Sequence, residues 1–306
     1  MPRAHAERRA CGIQTAWTCA DTPDKAITEI AQVLDPSDIG QILVFFSQPY
    51  EAESLCAALS AKFPDVPVAG CSTSGEITSD GFSEQSVLVV AFPEQGFHFV
   101  SSVIPEVKAL SVDLASEAVQ ALRARLDKPD GAHYDNLFAI SLIDGLSRCE
   151  EAIVSAIAWA LGDIPLVGGS AGDGLTLSGT SLVHDGRVYR GAALLLLVET
   201  EHPVRSFYCD HFEPTETKLV VTSSDTSTRT VYELNAEPAA LEYANSVGLE
   251  TSSLAPMSFA AHPVVVRIGG DYYCRSIQRV NDDGSLSFFC AIDDGVVLTV
   301  AEPRDM

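Results

Sequence analysis

A repeated stretch limits the folds that this chain can adopt. Each copy contains an apolar run, a helical stretch and a loop of small residues, and the loops are PVAGCSTSGE at 67–76 and PLVGGSAGDG at 165–174. The same 98 residues separate three matching pairs: Pro67 and Pro165, Gly70 and Gly168, and Ser72 and Ser170. A duplicated strand, helix and strand unit usually places its two loops in related positions, often facing one cleft. We therefore expect the two loops to lie close together.

The length and composition predict an α+β protein of two domains, each with mixed β-sheets flanked by helices. The chain has 306 residues, more than one core comfortably holds, and 46% of them are apolar. Its first domain should contain the strand-helix-strand duplication. We place an N-terminal arm and edge element at residues 1–24, the first domain at 25–206 and the second at 207–306.

The charge of the chain argues against nucleic acid and membrane partners. Lys and Arg number 19 against 42 Asp and Glu, and the formal net charge of −23 would repel phosphate backbones and anionic lipids. The longest apolar stretch, residues 192–198, is far shorter than the roughly 18 residues that a spanning helix needs. We expect a soluble, cytoplasmic protein.

Two helices are well marked in the sequence. Residues 112–126 carry Ala115, Val119, Leu122 and Leu126 on one predicted inner face. The helix of the second repeat should begin with a capping box formed by Ser147 and Glu150. We expect its buried face to contain Ile153, Val154, Ile157 and Leu161.

The second domain should be mostly strands joined by tight turns. Gly269-Gly270 fits a two-residue hairpin turn because glycine tolerates positive φ, and Asp185-Gly186 fits another in the first domain. The last apolar strand, residues 296–300, ends close to the chain end. We expect it to form a sheet edge in an incomplete domain.

Small residues make both repeat loops candidates for ligand binding. Their backbone N–H groups could bind an anion such as a carboxylate. The candidate residues are Gly70, Ser72, Ser74, Gly168, Gly169 and Ser170. The second loop also fits G-x-S-x-G, in which a strand-to-helix turn exposes a nucleophilic serine. Because turn-forming and β-prone residues follow Ser170, we expect no activated serine there, and a serine hydrolase is kept as an alternative.

Three other residues near the loops have two possible roles each. Cys71 could be a reactive thiolate, but a free cysteine more often fills space as a small apolar residue. Glu76 and Asp173 follow the two loops and could hold a cation or an amine, although loop acids more often cap turns.

The segment FAAHPVVVRIGGDYYCRSI, residues 259–277, is the most distinctive one outside the repeats. If Gly269-Gly270 is the turn, Arg267 lies opposite Tyr272. A neutral His262 beside apolar valines, with Arg267 and Arg275 nearby, suits an axial iron ligand and propionate partners for haem b. His211 is the second candidate, and the simpler interpretation is that His262 only hydrogen-bonds a loop carbonyl.

Five motifs in order resemble the FIST proteins, which are sensory proteins with an N-terminal and a C-terminal FIST domain. These motifs are PVAGCSTSGEI, FAISLIDGLSRCEE, PLVGGSAGDG, VYELNAEPAALEYA and the stretch from AAHPVVVRIGGDYYCRSI to SLSFFCAIDDG. The resemblance is closest to the NosP branch, which binds haem, senses nitric oxide and regulates histidine kinases and cyclic-di-GMP enzymes. It implies a receptor without a reaction of its own. Members of the family usually continue beyond the strand at which this chain ends.

This resemblance implies a bacterial signal-transduction sensor. Haem with nitric oxide is the first choice of ligand. An amino-acid-sized ligand held by the Ser72 and Ser170 loops, without haem, is the second, and the hydrolase that uses Ser170 is the third.

Overall fold

The computed structural model of the protein describes residues 4–48, 50–126, 134–174, 179–208 and 210–304. Helices and strands combine in an α+β arrangement, as predicted. The chain forms two compact units, Met1–Ser206 and Phe207–Met306. Within the described residues, no helix is both long and apolar enough to cross a bilayer.

The first unit contains four helices and thirteen strands among its described residues. In chain order they are β1 (His5–Arg8), β2 (Gln14–Thr18), α1 (Pro23–Val33), β3 (Gln41–Ser47), α2 (Ala52–Lys62), β4 (Val68–Thr73), β5 (Glu76–Thr78), β6 (Gly81–Ser83), β7 (Val87–Phe92), β8 (Phe97–Ile104), α3 (Val112–Leu126), β9 (Asn136–Asp144), α4 (Glu150–Leu161), β10 (Leu166–Ala171), β11 (Leu182–His184), β12 (Arg187–Tyr189) and β13 (Ala193–Thr200).

These elements build four layers, with two stacked sheets between two pairs of helices. One sheet has the strand order β1-β2-β7-β3-β4-β11-β12, and the other has the order β10-β9-β13-β8. Helices α1 and α2 pack on the outer face of the first sheet. Helices α3 and α4 pack on the outer face of the second. The inner faces meet through apolar residues such as Leu43, Leu142 and Leu194.

The duplication is visible in the pairing of the strands. In the first repeat β3 pairs with β4 in parallel and with β7 antiparallel. In the second repeat β9 pairs with β10 in parallel and with β13 antiparallel. The two repeats therefore form the corresponding centres of the two sheets.

The matched glycines have the same structural role in both repeats. A Cβ atom on Gly70 would lie 1.9 Å from the carbonyl oxygen of Val44 on the neighbouring strand, and a Cβ atom on Gly168 would lie 1.9 Å from that of Ser141. A side chain at either position would collide with the adjacent backbone. The repeated glycines thus allow close approach of two strands.

The helix predictions have mixed outcomes. Helix α3 covers residues 112–126 and buries all four predicted residues. Helix α4 begins at Glu150, but its N-cap is Cys149 and lacks a side-chain hydrogen bond, so the Ser147 capping box is wrong. Val154 was also expected to be buried and is 42% exposed.

Two N-terminal elements were missed by the sequence analysis. Residues 5–8 were expected to be part of a loose arm, but they form β1, which pairs with β2. Helix α1 was not predicted at all, although Thr22 caps it, Pro23 opens it and Ala26, Ile27 and Ile30 form its buried side.

Among its described residues, the second unit has two short helices and eight strands. Its elements are β14 (Phe212–Asp225), β15 (Thr230–Leu234), β16 (Glu237–Pro238), α5 (Ala239–Ser246), α6 (Pro256–Ala261), β17 (Val264–Ile268), β18 (Asp271–Arg275), β19 (Ile277–Val280), β20 (Leu286–Phe288) and β21 (Val297–Pro303). The sheet order is β18-β17-β21-β14-β15-β20-β19, and β16 pairs with β15. Tyr243 and Phe259 anchor the helices to the core.

The last strand is not a sheet edge, contrary to the prediction. Strand β21 pairs with β14 on one side and with β17 on the other, so its backbone groups have partner strands on both sides. The hairpin predictions are correct, since Gly269-Gly270 joins β17 to β18 and Asp185-Gly186 joins β11 to β12, with positive φ at all four residues.

Candidate functional site

The structure brings the two repeat loops into direct contact. The Gly172 N–H donates to the carbonyl oxygen of Ser72 at 3.0 Å, and the Gly174 N–H donates to the Ser74 hydroxyl at 3.1 Å. A Cβ atom on Gly172 would lie 2.5 Å from that hydroxyl. The loops therefore contact each other directly at these residues.

The matched serines have different surroundings. Ser72 is buried, and its hydroxyl accepts a 2.9 Å hydrogen bond from the N–H of Ser181. Ser72 therefore joins the end of β4 to the segment that leads into β11. Ser170 is exposed on β10, beside Gly145. Gly169, in the same strand, has open space where a side chain would stand.

Ser170 lacks the local geometry of a nucleophile elbow. It lies inside strand β10, which continues to Ala171, and residues 172–174 are not helical. The nucleophile elbow requires a sharp turn from a strand directly into a helix. The sequence predicts a β-prone segment after Ser170, and residues 175–178 of that segment lie outside the described residues.

The carboxylates near the two loops accept hydrogen bonds that stabilise the loops. Glu76 is 3% exposed and accepts hydrogen bonds from the hydroxyls of Ser47, Ser86 and Thr73. Asp173 accepts from the Gly179 N–H at 2.9 Å. Both residues thus act as caps in the manner of loop acids generally.

The second repeat uses a carboxylate at the position of Ser47. Asp144 ends β9 as Ser47 ends β3, and it accepts hydrogen bonds from the N–H groups of Leu146 and Gly191 and from the hydroxyl of Thr180. In the first repeat the carboxylate of Glu76 lies in the loop and the hydroxyl of Ser47 ends the strand. In the second repeat the carboxylate of Asp144 ends the strand, and the hydroxyl of Thr180 comes from the segment after the loop. The sequence analysis did not identify this buried network.

Cys71 has the properties of a core residue. It is buried between the sheets, and burial, together with the nearby negative charge of Glu76, raises the pKa of its thiol to about 12. A thiol with that pKa stays protonated at neutral pH and is a poor nucleophile.

A groove beside the first repeat is large enough for a small ligand. Its volume is about 540 Å³, within the usual range for ligand pockets. The residues that line it are His5, Trp17, Thr18, Cys19, Thr78, Asp80, Gly81, Phe82 and Ser83. It combines aromatic surfaces with a few polar groups.

Two contacts define the walls of this groove. The His5 ring stacks on Trp17 with 5.4 Å between ring centroids, and its Nδ1 atom lies 3.3 Å from the Asp80 carboxylate. Phe82 is 64% exposed, and a Cβ atom on Gly75 would lie 2.5 Å from its ring. The hairpin of β5 and β6 therefore holds Phe82 against the end of the first repeat loop.

The sequence analysis missed the groove because its residues are far apart in the chain. None of the residues His5, Trp17 and Asp80 belongs to a motif. The pairing of β1 with β2 and of β5 with β6 brings them together. An aromatic residue in an early strand is a weak signal without knowledge of these pairings.

In the second unit, His262 is half-buried at the C-terminal end of α6. Its carbonyl oxygen accepts a hydrogen bond from the Tyr243 hydroxyl at 2.7 Å. His211 is exposed, and its ring centroid lies 3.9 Å from that of Phe212.

The two candidate arginines lie on opposite faces of the sheet. The predicted register is correct, since Arg267 pairs with Tyr272, while Arg275 pairs with Val264. Alternate residues of a strand point to opposite faces, so Arg275 shares the face of Val264 and Arg267 does not. The Arg267 guanidinium instead lies 6.0 Å from the Tyr272 ring centroid.

Comparison with known families decides the classification. A model of the FIST N domain matches residues 41–237, and a model of the FIST C domain matches residues 239–306. The chain belongs to the FIST family. A search of curated proteins found no match. FIST domains are generally small-ligand sensory domains of signal transduction.

The border between FIST N and FIST C differs from the border between the compact units. The FIST N match extends to residue 237, whereas β14 and β15 fold with the second unit, which begins at Phe207. Strand β14 pairs with β21 and β15, and these pairings hold the last part of the FIST N match in the sheet of the second unit.

Proposed function

We propose that this FIST protein senses an amino-acid-sized ligand in the groove beside the first repeat. The observation that supports this is the combination of Trp17, Phe82 and Asp80 around one space of about 540 Å³. The aromatic rings suit the apolar part of a ligand. The Asp80 carboxylate suits an ammonium group, which would replace the His5 imidazole as its partner.

The position of the groove suggests how binding could be transmitted. Phe82 rests on Gly75, and Glu76 connects the same loop to Ser47 and Ser86 through buried hydrogen bonds. A ligand that moves Phe82 would act on this network. We infer that the signal then reaches a histidine kinase or a cyclic-di-GMP enzyme.

Tryptophan fluorescence tests the groove directly. The chain has two tryptophans, so Trp159→Phe leaves Trp17 as the only reporter. We expect a saturable change of Trp17 emission with at least one amino acid or biogenic amine. Asp80→Asn should weaken its binding about tenfold or more, because a hydrogen bond to a charged group is lost.

The hairpin offers a matched control. Phe82 and Ile77 pair across β5 and β6 and are both exposed, but Phe82 lines the groove and Ile77 does not. Phe82→Ala should weaken binding, and Ile77→Ala should leave it unchanged. Equal effects of both variants, or no saturable response to any ligand tested, would contradict the proposal.

A second proposal is haem-based sensing of nitric oxide in the second unit. His262 is half-buried and lies just before β17, in which Val264 pairs with Arg275 of β18. This placement supports the haem proposal. His262 would hold the iron and Arg275 would meet a propionate, while haem would supply the nitric oxide binding.

Absorption spectra test the haem proposal. Titration with haemin should produce a Soret band that His262→Ala abolishes or shifts, and nitric oxide should change that band in the reduced protein. His211→Ala serves as the control and should leave the spectrum unchanged. A band that survives in His262→Ala and disappears in His211→Ala would place the iron at His211 instead.

A further inference from the structure

A side chain of the protein itself occupies part of the groove beside the first repeat. His5 of β1 pairs with Trp17 of β2, and its ring stacks on the indole with 5.4 Å between centroids and 16° between planes. Its Nδ1 atom also lies 3.3 Å from the Asp80 carboxylate. Trp17 is only 6% exposed, so a ligand that stacks on this face of the indole must first displace His5.

The two contacts of His5 join elements that belong to different sheets. Strand β1 is an edge of the larger sheet, whereas Asp80 lies in the turn of the separate β5–β6 hairpin. The Thr78 hydroxyl accepts from the Asp80 N–H at 3.2 Å and stabilises this turn. His5 therefore connects the sheet edge to the hairpin, and a ligand that replaces it gains both the indole face and the carboxylate.

The imidazole of His5 indicates which ligand could take its place. A flat ring with a ring N–H group can stack on the indole of Trp17 and donate to a carboxylate, as the imidazole does. A positive charge on the ligand would strengthen both contacts, because cations are attracted to an indole face and form stronger hydrogen bonds with a carboxylate such as that of Asp80. The geometry thus favours a flat, cationic nitrogen compound.

The charges around the groove favour an amine over an amino acid. Asp80 lines the groove, and among the described residues that line it none is Lys or Arg. The whole chain carries a net charge of −23, which repels a carboxylate on a ligand. An amino acid would therefore bring a second negative group into a groove that offers it no Lys or Arg side chain.

We propose that the ligand of this groove is a cationic amine with a flat nitrogen heterocycle, of the imidazole-amine class, and that it binds by displacing His5. The inference rests on the proposed ligand-sensing function of the groove and specifies the chemical class of the ligand. His5 competes with this ligand, because both use the Trp17 face and the Asp80 carboxylate. Displacement of His5 also releases the edge strand β1 from the hairpin.

Removal of the His5 ring tests the competition. In Trp159→Phe protein, His5→Ala uncovers the indole and should shift the ligand-free emission of Trp17 to the red. Histamine should bind this variant about threefold or more tightly than the protein with His5, because no side chain competes, and should shift the emission back to the blue. Arg8→Ala is the matched control and should change neither property, since Arg8 lies on the opposite face of β1.

Three small probes test the ligand class by the same Trp17 emission. Histamine carries both the ring and the ammonium group, n-butylamine lacks the ring, and histidine adds a carboxylate. Histamine should bind about tenfold or more tightly than either of the other two, because n-butylamine loses the stacking and histidine brings an unpaired negative charge. Circular dichroism should show that the His5→Ala and Arg8→Ala variants are folded like the parent protein.

Three results would overturn this inference, and they differ from a failure of the proposed function. Equal binding of histamine and n-butylamine, or tighter binding of histidine, would make the ligand class wrong while the groove still binds a ligand. Histamine binding that His5→Ala weakens or leaves unchanged would exclude the competition. A groove that responds to other amines or amino acids but not to histamine would also contradict the inference, whereas the proposed function fails only if every ligand is without effect.

Discussion

At the scale of single residues, matching sequence does not mean matching roles. Ser72 and Ser170 share a place in the repeat, but Ser72 is buried and bonded to Ser181, whereas Ser170 is exposed on an edge strand. The same contrast holds for Ser47 and Asp144, which end equivalent strands with different partners. The duplication fixes the backbone, and each copy then uses its own side chains to satisfy buried polar groups.

In the second repeat, the buried hydroxyl group of Ser141 lacks a hydrogen-bond partner among the described residues. Its hydroxyl is buried on β9, and no described group forms a hydrogen bond with it. Ser141→Ala should raise the free energy of unfolding by up to about 1 kcal/mol, because an unpaired buried hydroxyl is removed. Ser47→Ala is the control and should lower it, since Ser47 donates to the buried Glu76 and accepts from the Ser86 N–H. Urea denaturation measures both, and a less stable Ser141→Ala protein would contradict this explanation.

At the scale of elements, local patterns predicted what local forces determine. Helix α3 was predicted with correct bounds because its apolar spacing is clear, and the glycine turns were predicted because glycine tolerates positive φ. Val154 was misplaced because α4 is apolar on its outer side as well, so the spacing does not identify one buried face. The prediction that β21 forms a sheet edge was wrong for a different reason.

Long-range pairing explains the remaining misses. The sequence places β21 near the chain end, but the sheet places it between β14 and β17. The groove likewise depends on the distant residues His5, Trp17 and Asp80 meeting through two separate hairpins. No local periodicity encodes such contacts. Convergence of the two repeat loops could be predicted because the duplication itself carries long-range information.

At the scale of the whole molecule, two compact units with separate cores should unfold as two cooperative transitions. Gly168→Ala places a Cβ atom against the Ser141 carbonyl oxygen in the first unit, which should cost roughly 2 kcal/mol or more. Tyr243→Phe removes the hydrogen bond to the His262 carbonyl in the second unit, which should cost about 1 to 2 kcal/mol. In scanning calorimetry each variant should lower the melting temperature of a different transition. Gly169→Ala is the control for the first, because its side chain would enter open space. A single transition that both substitutions shift together would mean that the two cores unfold as one.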